Sequence, residues 1–238
     1  SNAINYMHSK GIKGVDFVVC NTDSQALENS RVENKIQLGI SLTEGLGAGA
    51  NPEIGEKAAV ESFEDLKKML ETNTKMVFIT AGMGGGTGTG AAPVISKLAK
   101  EMDILTVGIV TMPFQFEGKV REEQAKKGID KLKNEVDALI VINNNKLRDI
   151  YGNLGFKEGF AKADEVLATA SKGIAEVITH HYTQNIDIKY PQTVLSNSEN
   201  AIMGSSTHER SKRSRAAISC ALDLRNMKEK TSSVDTNV

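Results

Sequence analysis

The sequence predicts an α/β protein in which a parallel sheet is flanked by helices. Short apolar runs typical of buried strands alternate with segments of helical periodicity, as in successive βαβ units. A glycine-rich loop follows one of these strands directly, and one apolar stripe continues over about five helical turns after residue 160. We therefore predict a Rossmann-like sheet, a long central helix and a partial second α+β domain, with ligands at the carboxyl ends of the strands.

The elements follow one another in a regular order. Strands are predicted at residues 15–20, 76–80, 104–110 and 138–142. The last three are continuous apolar runs, as expected for strands buried on both faces of a parallel sheet. Helices are predicted from Pro52 towards Leu70, around Pro93, from Glu117 to about Leu132, and from Phe160 to about residue 181.

Composition excludes several classes of function. Apolar residues make up 39% and charged residues 25% of the 238 residues, and the formal net charge is −1. Such a charge supplies no overall attraction to nucleic acid or anionic membranes, and no apolar run approaches the roughly 18 residues that span a bilayer. We predict a cytoplasmic protein without a nucleic-acid partner and without direct membrane insertion.

The cysteines and histidines predict no metal site. Cys20 lies in an apolar run, where a small buried side chain is the ordinary interpretation, and Cys220 is distant in sequence. The adjacent His180 and His181 have no nearby cysteine or carboxylate at a metal-ligand spacing.

Residues 82–90 contain six glycines and lie between a predicted strand and a predicted helix. Glycine allows positive φ, so successive N–H groups can turn inward and form a concave anion site at the positive end of the helix dipole. The candidate phosphate-binding residues are Gly84, Gly85, Gly86, Thr87, Gly88, Thr89 and Gly90. A flexible connector and a loose dinucleotide fingerprint, G-x-G-x-x-G, are the alternatives, and the latter would make the chain an NAD-dependent oxidoreductase.

The run from Gly84 to Gly90 resembles the signature loop of the tubulin/FtsZ family, which holds the nucleotide phosphates. Further motifs resemble the family in its own order. They are Asn21-Thr22-Asp23, the γ-phosphate-sensing loop around Ala48, Gly49 and Ala50, the ribose-side segment with Glu117 and Arg121, and the segment that contains Asn144. The resemblance covers roughly residues 2–223.

Two residues on the predicted central helix match the family's base-binding positions. The resemblance implies that Phe160 stacks on guanine and that Asp164 accepts hydrogen bonds from its N1–H and exocyclic amine. A carboxylate at that edge favours GTP over ATP, because adenine offers no matching pair of donors. Without the resemblance, an ordinary core phenylalanine, a solvated helix carboxylate and a Glu117–Arg121 ion pair would be the simpler interpretations.

The resemblance also implies that the neighbouring subunit completes GTP hydrolysis with an acidic loop. Asn185-Ile186-Asp187 resembles the start of that loop, with Asp187 as the water-activating acid and Asn185 as its helper. The family pattern has a second Asp three residues later, where this chain has Tyr190, which cannot accept a proton near pH 7. A non-hydrolysing relative that binds nucleotide or caps filaments is therefore the alternative.

The first residues match the end of another family loop, Gly-Gly-x-Asn-Ala, which wraps the α- and β-phosphates. Asn2 is then the Asn of that motif, unless these residues are a cloning remnant. In either case the family's first strand, a central one, is missing, and two neighbouring strand edges are expected to be unpaired.

The resemblance implies a GTP-binding, self-assembling GTPase of the bacterial division ring. The predicted parts are a GTP-binding domain at 1–156, the central helix at 157–181 and a partial C-terminal activation domain at 182–238. GTP and GDP are the expected ligands, with Mg²⁺ accompanying GTP. The expected partners are copies of the same chain in a head-to-tail protofilament and other division proteins, at the mid-cell ring.

Overall fold

The computed structural model describes residues 2–12, 14–71, 73–152 and 155–179. Within them all strands run parallel and form two sheets. The strands are β1 (Val18–Asn21), β2 (Asn34–Gln37), β3 (Met76–Gly82), β4 (Leu105–Met112) and β5 (Ala138–Asn143). One sheet pairs β1 with β2, and the other has the order β3-β4-β5.

Helices connect the strands and cover the sheets. They are α1 (Asn2–Ser9), α2 (Ser24–Glu28), α3 (Ile40–Thr43), α4 (Pro52–Glu61), α5 (Phe63–Leu70), α6 (Thr87–Glu101), α7 (Lys119–Glu135), α8 (Asn144–Tyr151) and α9 (Phe156–Thr179). A single 3-10 turn, Gln115–Glu117, precedes α7. None of the helices in the described part of the chain is long and apolar enough to cross a bilayer.

The two sheets share one core although they are not hydrogen-bonded to each other. Cys20 and Ile36 from the first sheet and Val77 and Ile79 from the second pack against the same cluster, whose centre includes Leu66. Strand β4 is buried along all but its last residue, whereas β3 is only half-buried. Among the described residues β1, β2, β3 and β5 each pair on one side only, and β4 pairs on both.

The prediction of one helix from Pro52 towards Leu70 is wrong in one respect, because the observed helix is broken at Ser62. This residue has φ −93° and ψ 18°, outside the helical region. Its hydroxyl accepts a hydrogen bond from the Gly39 N–H (3.0 Å) and donates one to the Gln37 carbonyl (3.3 Å). The side chain thereby ties the break between α4 and α5 to the end of β2, which is a tertiary contact that helical periodicity cannot show.

Helix α9 has the predicted apolar stripe between Ala163 and Ala170. Ala163, Leu167 and Ala170 are buried, and the helix packs against α1 and α8. The predicted C-terminal part at 182–238 lies outside the described residues. Strand β2 and helices α1, α2, α3 and α8 were not among the elements predicted from the sequence.

Glycines let α6 and α4 touch backbone to backbone. A Cβ on Gly90 would lie 2.6 Å from the Glu56 nitrogen and closer still to the Pro52 carbonyl oxygen. A Cβ on Gly86 would lie 2.7 Å from the Ala48 Cβ and 2.9 Å from the Asn51 nitrogen. No side chain fits in either place, so the first turn of α6 is held directly against α4 and the loop before it.

We expect Gly90→Ala to lower the free energy of unfolding by about 2 kcal/mol or more, because the added methyl group forces two backbones apart. The loss should appear although alanine favours a helix over glycine by about 1 kcal/mol. Gly85→Ala is the matched control, since a Cβ there meets nothing within 4 Å. Equal stability of the two variants in urea denaturation would contradict this account of the packing.

Candidate functional site

The glycine-rich loop begins where β3 ends and leads into the N-terminus of α6. Gly84 has φ +102°, and its N–H donates to the Thr89 hydroxyl oxygen at 2.9 Å. Thr89 is buried, so its side chain braces the loop from within. Thr87, the first residue of α6, is half-buried, unlike the buried Thr89. The first N–H groups of a helix have no intrahelical acceptors, so this turn offers donors to an anion.

The loop around Ala48, Gly49 and Ala50 lies against the glycine-rich loop. Ala48 is buried and faces Gly86, whereas Gly49 and Ala50 are exposed. Ala50 has φ +59°, an uncommon conformation for a residue with a side chain. The Asn51 side chain then accepts from the Glu53 N–H at 2.9 Å and caps α4. The two loops that the sequence singled out therefore form one continuous surface.

The end of β1 reaches the same surface. The Asn21 side-chain oxygen accepts from the Asp23 N–H at 3.3 Å, and the Asp23 carboxylate caps α2 by accepting from the Ala26 N–H at 3.0 Å. Between them, the Thr22 hydroxyl lies 2.7 Å from the Thr87 hydroxyl. Because Thr22 contacts Thr87, the adjacent Asn21 lies beside the glycine-rich loop.

Glu117 organises the segment after β4. One carboxylate oxygen accepts from the Phe114 N–H at 2.9 Å, and the other accepts from the Arg121 guanidinium at 2.9 Å. The simple i,i+4 ion pair that the sequence allowed is therefore present. The backbone of Arg121 also reaches the glycine-rich loop, because a Cβ on Gly84 would lie 2.9 Å from its carbonyl oxygen.

An aromatic cluster joins this segment to α9. Phe114 stacks on Phe116 with ring centroids 4.9 Å apart, and Phe160 meets Phe114 edge-on at 5.4 Å. Phe114 is buried, Phe160 is half-buried, and Phe116 is 51% exposed. Phe114 and Phe116 belong to the predicted ribose-side segment, but their packing against Phe160 could not be predicted from the sequence.

Asn144 and Asn145 lie where β5 passes into α8. The Asn145 side chain accepts from the Gln115 N–H at 2.9 Å and so holds the loop after β4. Asn144 is 4% exposed, and its side-chain oxygen has no hydrogen-bond partner among the described residues. An orphaned buried acceptor is costly in a folded protein, and it commonly marks a group that a ligand satisfies.

A cleft of about 320 Å³ between α1 and α9 brings Asn2 and Asp164 together. It is lined along one face of α1 by Asn2, Asn5 and Tyr6, and on the other side by Asn29, Arg31 and Asp164. Partial burial raises the pKa of Asp164 above its ordinary value of 3.8, because desolvation disfavours the carboxylate. The sequence analysis had no signal for Asn29 or Arg31, since neither lies in a recognisable motif.

The remaining predicted residues lie outside this site. Asn185, Asp187 and Tyr190 lie outside the described residues. Burial raises the pKa of the Cys20 thiol to about 12, which agrees with a structural cysteine. In the part of the chain that the structure describes, no group of three His, Cys, Asp or Glu residues could hold a metal ion.

The same architecture occurs in known proteins. The cell division protein FtsZ of Porphyromonas gingivalis is 48% identical over 222 residues, which is 93% of this chain and 49% of that protein. The chain thus spans about half the length of this relative. An FtsZ dimer from M. jannaschii superposes with a TM-score of 0.88 at 44% identity, over 93% of this chain and 64% of that one.

A more distant structure shows the fold alone. CetZ1 from Haloferax volcanii, a GDP-bound monomer, has a TM-score of 0.71 at 20% identity, over 85% of this chain and 64% of that one. The GTPase domain of the tubulin/FtsZ family matches residues 1–152, which are more than half of the chain. These residues carry the glycine-rich loop and each loop that meets it at the carboxyl edge of the sheets. The chain therefore belongs to the tubulin/FtsZ family.

Proposed function

We propose that the protein binds GTP and GDP and assembles head to tail with copies of itself, and that GTP is hydrolysed at the junction between two subunits. One observation carries the proposal. The glycine-rich loop, the loop around Ala48 and the end of β1 meet at one edge, and a cleft that contains Asp164 lies beside α9. A phosphate cradle and a polar base pocket are the two halves of a nucleotide site.

The phosphates bind at the glycine-rich loop. Gly85 is open to solvent on its Cβ side, so an anion can approach its backbone closely. The N–H groups at the start of α6 and the Thr87 hydroxyl supply further donors. Ala48, Gly49 and Ala50 close the far side, where a γ-phosphate distinguishes GTP from GDP.

The base and ribose bind between α9 and the loops after β4 and β5. The Asp164 carboxylate accepts the two guanine donors, with Asn2 facing it across the cleft. Phe160 offers a ring face to the base, Glu117 and Arg121 contact the ribose and a phosphate, and Asn144 supplies its unsatisfied oxygen. A partly desolvated carboxylate discriminates strongly, because a base without matching donors leaves it unpaired.

Hydrolysis requires the neighbouring subunit. Its Asp187 orients the attacking water and accepts a proton, and Asn185 assists it. When bound with GTP, Mg²⁺ would supply charge neutralisation at the phosphates, and it would need few protein ligands because phosphate oxygens and water would provide most of them.

The edge that carries the site also presents apolar side chains to solvent. Leu46 is 85%, Phe116 51% and Val120 69% exposed, and all three lie in or next to the loops around the site. Exposed apolar groups beside a ligand are typical of a surface that a partner covers. The M. jannaschii relative is described as a dimer, which supports covering by a second copy. The relative's name, cell division protein, supports assembly at the bacterial division ring with other division proteins.

Tyr190 favours a second candidate function. A neutral phenol three residues after Asp187 cannot share the acid role. The alternative is a relative that binds nucleotide and joins or caps filaments without hydrolysing GTP.

The first experiment is equilibrium binding of fluorescent GTP, ATP and NAD to the purified chain with Mg²⁺. We expect selective binding of GTP. Asp164→Asn should weaken GTP binding by about 10- to 100-fold, because one guanine donor then faces an amide N–H. Asp65→Asn, at an exposed position of α5, is the matched control and should leave affinity unchanged. Preference for NAD would instead favour a dinucleotide site, and binding of no nucleotide would refute the proposal for this chain.

GTP affinity should also depend on pH through Asp164. The guanine donors require the ionised carboxylate, so affinity is complete above the pKa of Asp164 and declines as the pH is lowered through it. Because that pKa is raised, the decline begins at a higher pH than for an ordinary Asp with a pKa of 3.8. The difference between native protein and Asp164→Asn, measured by titration with fluorescent GTP, isolates this group from phosphate protonation. A pH-independent difference would refute the role.

Asp187 can be tested in mixed filaments. An Asp187→Ala chain added to a full-length FtsZ should lower GTP turnover in proportion to its incorporation, because each junction that it completes lacks the activating acid. Sedimentation measures incorporation, and phosphate release measures turnover. Unchanged turnover despite incorporation would show that Asp187 does not act.

A further inference from the structure

Thr22 is completely buried at the end of β1, and it is the meeting point of three segments. Its hydroxyl oxygen lies 2.7 Å from that of Thr87 in the glycine-rich loop. Its carbonyl oxygen accepts from the Thr43 hydroxyl at 3.2 Å, and Thr43 closes α3 just before the loop around Ala48. The side chain and backbone of one residue therefore contact the glycine-rich loop and the helix that precedes the loop around Ala48.

The direction of the hydroxyl–hydroxyl bond follows from burial. Either oxygen can donate on geometry alone. Thr22 is 0% exposed, so its proton has no access to water, and Thr87 is the one side-chain partner that the described residues give it. A buried hydroxyl proton without an acceptor is costly, so Thr22 donates and Thr87 accepts. Thr87 is half-buried, and its own proton is left to point out of the loop.

We propose that Thr22 is a positioning residue of the phosphate site, which holds the Thr87 hydroxyl as a hydrogen-bond donor towards a bound phosphate. This inference rests on the proposed function. If Thr87 donated its proton inward, its oxygen lone pairs would face the phosphate oxygens and repel them. Donation from Thr22 prevents that arrangement, and it also polarises the Thr87 hydroxyl and strengthens its bond to the anion.

The bond to Thr43 extends the role to the neighbouring loop. Thr43 donates to the carbonyls of both Thr22 and Gly39, at 3.2 and 2.9 Å, and so holds α3 against the end of β1. Because this second bond uses the Thr22 backbone, it survives substitution of the Thr22 side chain. Loss of the Thr22 hydroxyl therefore tests its action on Thr87 separately from the attachment of α3.

The test is the affinity of the full chain for fluorescent GTP with Mg²⁺. Thr22→Val, which keeps the shape and removes the hydroxyl, should weaken binding about tenfold, because the Thr87 hydroxyl is then neither oriented nor polarised towards the phosphate. Thr22→Ser restores the donor and should bind within about twofold of the native chain. Thr106→Val is the matched control, because Thr106 is equally buried near the start of β4, far from the site. It should not change affinity.

A double-mutant cycle separates positioning from a general loss of structure. Thr87→Val alone should also weaken binding about tenfold, and adding Thr22→Val should cause no further loss, because Thr22 acts through Thr87. Thermal unfolding of each variant confirms that it is folded, and Thr22→Ala replaces Thr22→Val if the latter is not.

Each outcome is decisive. Native-like affinity of Thr22→Val, or a loss of about a hundredfold in the double variant, would overturn the inference and leave the proposed function intact. Absence of guanine-nucleotide binding by the native chain would overturn both.

Discussion

The close contact between α6 and α4 is the constraint on which the site depends. Gly86 and Gly90 have no side chains, so the first turn of α6 lies directly on Ala48, Asn51 and Glu56. A methyl group at either glycine would separate the glycine-rich loop from α4 and the loop around Ala48. The same approach puts Thr87 within 2.7 Å of Thr22. The glycines thus serve two purposes at once, since they expose backbone N–H groups to an anion and bring the surrounding loops together.

Several unfavourable features of the described chain lie at the site. Asp164 is partly desolvated, the Asn144 side-chain oxygen lacks a partner, Ala50 has a positive φ and Leu46 is almost fully exposed. Each lowers the stability of the folded protein, and under the proposed function each has a use when nucleotide or a second subunit binds. The β4 core and the α4–α6 packing offset them. Such local conflicts are expected at functional sites, because binding and stability make different demands on the same residues.

The sequence predicted the parts of the fold that have strong local signals. The apolar runs of β3, β4 and β5 and the stripe of α9 were found close to their observed bounds, and the α/β class is confirmed by the FtsZ structures. Strand β2 was missed because Asn34–Gln37 is polar and short. The helix from Pro52 was drawn too long because Ser62 leaves it to bond Gly39 and Gln37, which are distant in sequence. Elements defined by contacts with remote segments leave no periodic trace.

By itself, the sequence determined the glycine-rich loop, its place between a strand and a helix, and the family motifs in their order, because these depend on residue type and spacing along the chain. Tertiary structure alone decided which groups meet. It put Asn2 opposite Asp164, Arg121 against Gly84, Phe114 and Phe116 beside Phe160, and Thr22 on Thr87. The reason is physical: hydrogen-bond partners, burial and desolvation are set by segments up to about 160 residues apart, as between α1 and α9, and such distances are closed only when the sheets and helices pack.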